Sequence, residues 1–274
     1  MALTIQTNPA ALAAQKNLNA NQKALSGSFQ KLSSGFRVNT AADDAAGLAV
    51  SESMKSQIRS YTVAERNASD GISMAQTAEG ALNEVHDVLG RMRELAMQAS
   101  NGSLSSTDRG YLNTEFGSLQ KEITRIQDSA KFNGTKLVAA ASAAVTFQVG
   151  LNNTGSDQIT ISFGAVSLTG LLAATTTVST ANTALASLAK IDTAIGSVST
   201  SRAKFGTAMN RLEVATSNIQ TMRLNLSAAN SRIRDVDVAH ETSILSRNQV
   251  LSQAGVSVLA QANQLPQMAF GLLG

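Results

Sequence analysis

Between Asn182 and Ile233 large apolar residues recur at strict seven-residue steps, and this row constrains the fold more than any other feature. Its members are Ile191, Val198, Phe205, Leu212, Ile219, Leu226 and Ile233. Three positions after each of the first six stand Ala194, Ser201, Ala208, Ala215, Met222 and Ala229. Two apolar positions per heptad make the seam of a helix packed along another helix. Small residues at the second position let the axes approach closely. The segment predicts a rod of roughly 75 Å at about 1.5 Å per residue. Burying the large side chains contributes on the order of 10–20 kcal/mol before chain entropy is subtracted.

A second long helix is expected from Ala45 to Ala99. Tyr61, Ala68, Ala75, Leu82, Leu89 and Ala96 are spaced by seven. Asn101-Gly102 is expected to stop it by adopting the left-handed conformation. A third helix follows Ser105 or Ser106 as N-cap and carries Leu112, Phe116, Leu119, Ile123 and Ile126. Phe132-Asn133-Gly134 closes it. Both prolines, Pro9 and Pro266, lie near the ends, so neither interrupts these helices. Thr146 to Val149 and Gln158 to Phe163 alternate as strands do, with the turn-rich Leu151 to Asp157 between them. They predict a β-hairpin. The Thr/Ser-rich stretch that follows is expected to be exposed loop or extended chain, with Asp43 and Asp44 elsewhere in the first turn of the second helix, complementing its dipole.

The two ends have seven-residue rows of their own: Leu18, Leu25 and Leu32, then Ile244, Leu251, Val258 and Leu265. Each is an amphipathic helix without a local partner, and such a helix is marginal alone in water. It must pair with the other terminus, join another chain, or stay disordered. The expected fold class is mainly α: an elongated rod of long antiparallel helices with a small β-hairpin, plus a coiled-coil pair formed by the N- and C-terminal helices. Elongated subunits that associate without closing give filaments.

Composition agrees with close helix packing rather than an enzyme core. Aromatic residues are 4%, Trp is absent, and charged residues are 15% against a usual share of about a quarter. The absence of Cys excludes disulfides, thiolate catalysis and Cys-ligated zinc. The net charge of +3 comes from scattered Lys and Arg, whereas nucleic-acid binding needs a concentrated basic patch. Neither a Sec-type signal nor a membrane-spanning helix is read. No catalytic, cofactor-binding or metal-ligating residue is assigned. Asp43-Asp44 diverge by about 100° on a helix and do not converge on one ion. Asp235, Asp237, His240 and Glu241 lack metal-ligand spacing, and His86 has no nucleophile marked nearby.

Several strings resemble the bacterial flagellin family. Leu32-Ser-Ser-Gly-Phe-Arg-Val-Asn-Thr-Ala-Ala-Asp-Asp-Ala-Ala-Gly-Leu-Ala49 is similar to its N-terminal signature. Arg91-Met-Arg-Glu-Leu-Ala-Met-Gln-Ala99 with Asn101-Gly102, and Phe132-Asn133-Gly134, resemble further blocks. Ser231-Arg232-Ile233 through Pro266-Gln267 resembles the closing segment. The likeness covers residues 1–136 and about 182–274. It implies a secreted, extracellular homopolymer of many copies forming a hollow filament, without cofactors. Residues 1–44 and 234–274 would form an inner coiled-coil layer and 45–233 the surrounding one, with a short variable region near 137–181. It also implies export through the flagellar type III apparatus, a chaperone on the C-terminal segment, and hook-associated junction and cap proteins as partners. For a host Toll-like receptor it carries over Arg91, Leu95, Gln98 and Glu115, with a departure at Gly90. Rival readings are a hook–filament junction protein, an exported enzyme on a helical scaffold, and a membrane-surface adaptor.

Overall fold

The computed structural model describes residues 7–138, 143–164, 166, 168–173 and 175–273, with side chains left aside at 143, 169 and 265–273. The described elements, in order, are α1 (Pro9–Ser34), α2 (Ala45–Ser100), α3 (Ser106–Ser129), β1 (Lys131–Phe132), β2 (Thr135–Lys136), β3 (Ala143–Gln148), β4 (Gln158–Phe163), α4 (Thr169–Leu172), α5 (Ala181–Arg234) and α6 (Val238–Leu273). The chain divides into two compact units, residues 1–56 with 225–274, and residues 57–224.

In the second unit α2 lies antiparallel to α5. Arg93 reaches Asp192 at 2.8 Å, Arg202 reaches Glu79 at 3.6 Å, and Arg223 reaches Glu65 at 2.8 Å, so one numbering falls as the other rises. These half-exposed pairs contribute about 0–1 kcal/mol each. The core does most of the holding: Leu82, Leu89 and Met92 of α2, Phe116 and Ile123 of α3, and Ile191, Val198, Phe205, Leu212 and Ile219 of α5 are buried. At the far end of the α5 row Leu226 and Ile233 are half-buried, while Met222 is exposed. Ser105 caps α3: its hydroxyl accepts from the Asp108 amide, and the Asp108 carboxylate accepts from the Ser105 amide. Such a reciprocal box satisfies two amides that the first turn would leave bare.

The hairpin forms in the expected place, with Phe147 opposite Ile159 and Val145 opposite Ile161. Asn67 donates to the Gln148 carbonyl at 3.0 Å and ties it to α2. Gly71 makes the approach possible, because a Cβ there would stand 3.2 Å from the Phe147 ring and 3.0 Å from Leu212 Cδ1. Phe163 of β4 stacks on Phe205 of α5 with centroids 5.4 Å apart. A second, minimal hairpin, β1–β2, turns through Asn133 (φ 46°) and Gly134 (φ 82°), the left-handed pair that a two-residue primed turn requires.

Three local expectations are corrected. Asn101 and Gly102 are not left-handed; α2 ends instead on the Arg109 guanidinium, which donates to the carbonyls of Ala99 and Asn101, each at 2.8 Å. Asp44 precedes α2 as its N-cap, accepting from the Gly47 amide at 2.8 Å, while Asp43 accepts from the amides of Asn39 and Thr40 in the turn before it. The stretch after β4 is not all exposed loop. Val166, Leu168, Leu171, Thr176 and Val178 are buried. Gln120 donates to the Leu171 and Thr176 carbonyls, Asn113 accepts from the Val178 amide, and Ser187 donates to the Thr177 carbonyl. Side chains of α3 and α5 thus supply the partners that a buried loop backbone needs.

Candidate assembly surface

In the first unit α1 packs along α6. The positions of α1 turned toward its partner include Leu18, Asn21, Leu25, Ser28 and Leu32. Those of α6 are Glu241, Leu245, Asn248, Ser252, Gly255, Leu259 and Ala262. Steps of three and four on both helices mark a coiled-coil seam. Leu18 of α1 meets Gly255 of α6: a Cβ placed on Gly255 would stand 3.3 Å from Leu18 Cδ1. Asn8 caps α1 by accepting from the Ala11 amide, and its amide group donates to the Ala262 carbonyl at 2.7 Å.

This seam differs from the expected row on α6. Ile244 is half-buried, but Leu251 is 44% and Val258 53% exposed, and the Leu265 side chain lies outside the described residues. The row sits one position off the seam. Close packing against Leu18 is set by Gly255, which has no side chain and so carries no apolar period. Leu251 and Val258 are left at the flank. Leu12 and Phe29 of α1 and Val250 and Val256 of α6 are also exposed. The pair therefore keeps an apolar surface after its own seam is filled.

A clasp that the sequence did not announce joins the two inter-helix segments. Gly35, in the left-handed conformation at φ 74°, ends α1. Its carbonyl accepts from the Val236 amide at 3.0 Å, and the Arg234 carbonyl accepts from the Arg37 amide at 2.6 Å. Phe36 and Asp235 form an isolated antiparallel bridge. The Arg37 guanidinium donates to the Ile233 carbonyl, Ser51 donates to Asn230 at 2.7 Å, and Val38 is buried. Arg234 is the last residue of α5 and Phe36 lies in the break after α1, so no apolar period marks them.

The four residues carried over for a receptor lie in the second unit. Arg91 donates to Glu94 at 2.8 Å and to Glu115 at 2.9 Å; these carboxylates, Glu94 first, hold the guanidinium more firmly protonated. Gln98 is exposed beside them. Leu95 is 1% exposed and belongs to the core, so it offers no side chain to a partner. It shares the inward face with Met92 and Ala99, which is why a surface role fails.

The carboxylates do not assemble into a centre. Among the described residues no three His, Asp or Glu side chains are placed to hold a metal ion, and no helix is long and apolar enough to cross a membrane. Asp237 serves the first turn of α6, accepting from the His240 amide at 3.1 Å.

Comparison with known proteins agrees with this arrangement. Residues 5–143 match the bacterial flagellin N-terminal helical region and residues 188–273 the bacterial flagellin C-terminal helical region. A flagellin of Halalkalibacterium halodurans is 45% identical over 257 residues, spanning 94% of this chain and 93% of that protein. The crystal structure of Bacillus cereus flagellin is 31% identical and superposes with a TM-score of 0.50 over 60% of this chain and 94% of that one. A putative flagellar hook-associated protein from Vibrio parahaemolyticus gives a TM-score of 0.60 at 15% identity, over 70% of this chain and 100% of that one, a likeness of fold alone.

Proposed function

The chain belongs to the bacterial flagellin family, and we propose that the α1–α6 pair is the element through which its copies polymerise. The protein is a structural subunit of the extracellular flagellar filament and not an enzyme. One observation carries the reading of the pair: α1 and α6 fill their own seam and still expose Leu12, Phe29, Val250, Leu251, Val256 and Val258. Large apolar side chains left exposed on both helices mark an association surface rather than a solvated one. Ile244, Leu251 and Val258 then serve the contact between subunits, with Leu18, Leu25 and Leu32 holding the pair within each.

In the filament, residues 1–44 and 234–274 form the inner coiled-coil layer and residues 45–233 the layer around it, with the variable region near 137–181. The seam itself supports export in an unfolded state through the type III apparatus. It is diluted by Asn21, Ser28, Asn248 and Ser252, so the pair is held weakly before neighbours add to it. A chaperone on the C-terminal segment would cover the apolar face of α6 until export, and hook-associated junction and cap proteins would meet the same surface at the two ends of the polymer. A host Toll-like receptor would read exposed Arg91, Gln98 and Glu115 without Leu95.

Deleting residues 1–30 or 245–274 tests the assembly reading. Either truncated chain should stay largely helical by circular dichroism yet fail to elongate filament fragments. Normal elongation by either one overturns the reading. Failure of the intact chain to elongate seeds would favour a junction protein instead.

A further inference from the structure

Two Asn-Gly dipeptides stand in the chain, Asn101-Gly102 and Asn133-Gly134. In such a pair the glycine amide nitrogen can attack the asparagine side-chain carbonyl, because glycine has no Cβ to obstruct the approach or restrict the backbone. The structure treats the two differently. At Asn101 the side-chain Oδ1 accepts from the Ser103 amide at 3.2 Å. Its backbone carbonyl accepts from Arg109 Nη2 at 2.8 Å and from the Leu104 amide at 3.4 Å. Side chain and peptide plane are both held. Asn133 and Gly134 are the two loop residues of the β1–β2 hairpin, between the paired Phe132 and Thr135. Both are exposed, and the space that a Gly134 Cβ would enter is open. Among the described residues the Asn133 side chain makes no hydrogen bond, and neither the Asn133 carbonyl nor the Gly134 amide has a partner. The peptide plane between them is therefore free to rotate. Lys131 and Lys136 stand opposite each other on the flanking strands, and both are exposed. Like charges so placed oppose each other, and a carboxylate in the turn between them would relieve that.

We propose that Asn133 is a site of spontaneous deamidation in the folded protein, and that the fold shields Asn101 from the same reaction. The Gly134 amide gives its proton to hydroxide, and its nitrogen bonds to Asn133 Cγ. The Cγ–Nδ2 bond then breaks, and ammonia leaves with a proton taken from water. Water next opens the succinimide ring. Cleavage between the ring nitrogen and Cγ leaves aspartate. Cleavage between the nitrogen and the backbone carbonyl carbon leaves isoaspartate, in which the chain runs through Cβ and Cγ. The net change is one carboxamide and one water converted to one carboxyl group and one ammonia. Isoaspartate adds a backbone atom to a two-residue loop whose geometry a primed turn fixes. β2 leads directly into Leu137, whose amide donates to the Ala130 carbonyl at 2.9 Å and whose carbonyl accepts from the Gly164 amide at 2.8 Å. The lengthened turn loosens this link between the end of α3 and the end of β4. Subunits of an extracellular polymer are outside intracellular turnover, so the change accumulates with age.

The test incubates the intact folded chain at mildly alkaline pH and follows the peptides carrying residues 101 and 133 by mass spectrometry, with aspartate and isoaspartate separated by chromatography. The Asn133 peptide should convert severalfold faster than the Asn101 peptide, with isoaspartate as the main product. In denaturant the two rates should converge, chiefly because Asn101 speeds up once Ser103, Leu104 and Arg109 release it. In the converted fraction, hydrogen exchange at the Leu137 and Gly164 amides should quicken, as a broken turn requires. Asn101 reacting as fast as Asn133 in the folded chain overturns the proposal. So does an Asn133 that accelerates on unfolding as much as Asn101 does, because the turn would then be a shield and not an opening.

Discussion

The guanidinium of Arg234 lies 4.6 Å from the centre of the Phe36 ring, and its Nη1 reaches Glu52 at 2.5 Å. One side chain thus bonds the break after α1 to the start of α2, at the point where α5 ends. The Arg234 side chain is 13% exposed, so its charge is poorly solvated and the ring face supplies part of what water would. Arg234→Ala should destabilise the first unit by about 1–3 kcal/mol, combining the ring contact and the ion pair. Hydrogen exchange at the amides of Arg37 and Val236, which close the clasp, should speed up while the core of α3 is unchanged. Arg234→Lys should not restore protection, because an ammonium cannot stack flat on the ring. Unchanged exchange in Arg234→Ala would remove the clasp from the account.

Phe205 tests the core of the second unit. It is buried, lies in the heptad row of α5, and stacks on Phe163 at an interplanar angle of 28°. Phe205→Ala should cost about 3–5 kcal/mol, because the cavity is walled by strand and helix that cannot both close on it. The melting temperature followed by circular dichroism should fall by several degrees. A loss below about 1 kcal/mol would mean that the stacked pair is not the anchor of the hairpin.

The row containing Phe205 was legible because its large residues recur at one helical position and small ones at another. The hairpin was legible too, since Gln158 to Phe163 alternates with a period of two. Legibility ended where packing depends on what a residue lacks. Gly255 closes the α6 seam on Leu18 by lacking a side chain, while Leu251 carries the visible period without being buried. Leu95 shows the same limit: a string similar to a family block says nothing of which face is inward. The segment from Val166 to Val178 was hidden for another reason. Its burial depends on Asn113, Gln120, Ser187 and Lys190, which are distant in sequence and ordinary in kind.

Position relative to the seam should separate folding from assembly on α6. Leu259 faces α1 and Leu251 faces away. Leu259→Asp buries an unpaired carboxylate in the pair and should melt it, with loss of helical signal from the first unit. Leu251→Asp and Val258→Asp should leave monomer helicity unchanged and raise the critical concentration for elongation at least fivefold, as truncated apolar anchors do at interfaces. Equal helicity loss in both classes would mean that Leu251 belongs to the intrachain seam after all.

Acid should act on the helix caps before it acts on the core. The Ser105 hydroxyl, then the Ser105 amide, holds Asp108 below its ordinary pKa of 3.8, and the Thr40 amide, hydroxyl and then the Asn39 amide do the same for Asp43. A depressed folded value means that the unfolded chain takes up the proton first as pH drops. The stabilisation by these carboxylates is therefore complete above about pH 3.8 and is lost as pH falls from there through the lower folded values. Both groups are exposed, so the effect is local: the first turn of α3 and the turn before α2 should fray, with the core of the second unit intact. Carboxylate titration by NMR provides the check. Ser105→Ala should return Asp108 toward its ordinary value and leave Asp43 where it was, because the two caps share no partner. An Asp108 titration that ignores Ser105→Ala would show that the hydroxyl does not hold the carboxylate in solution.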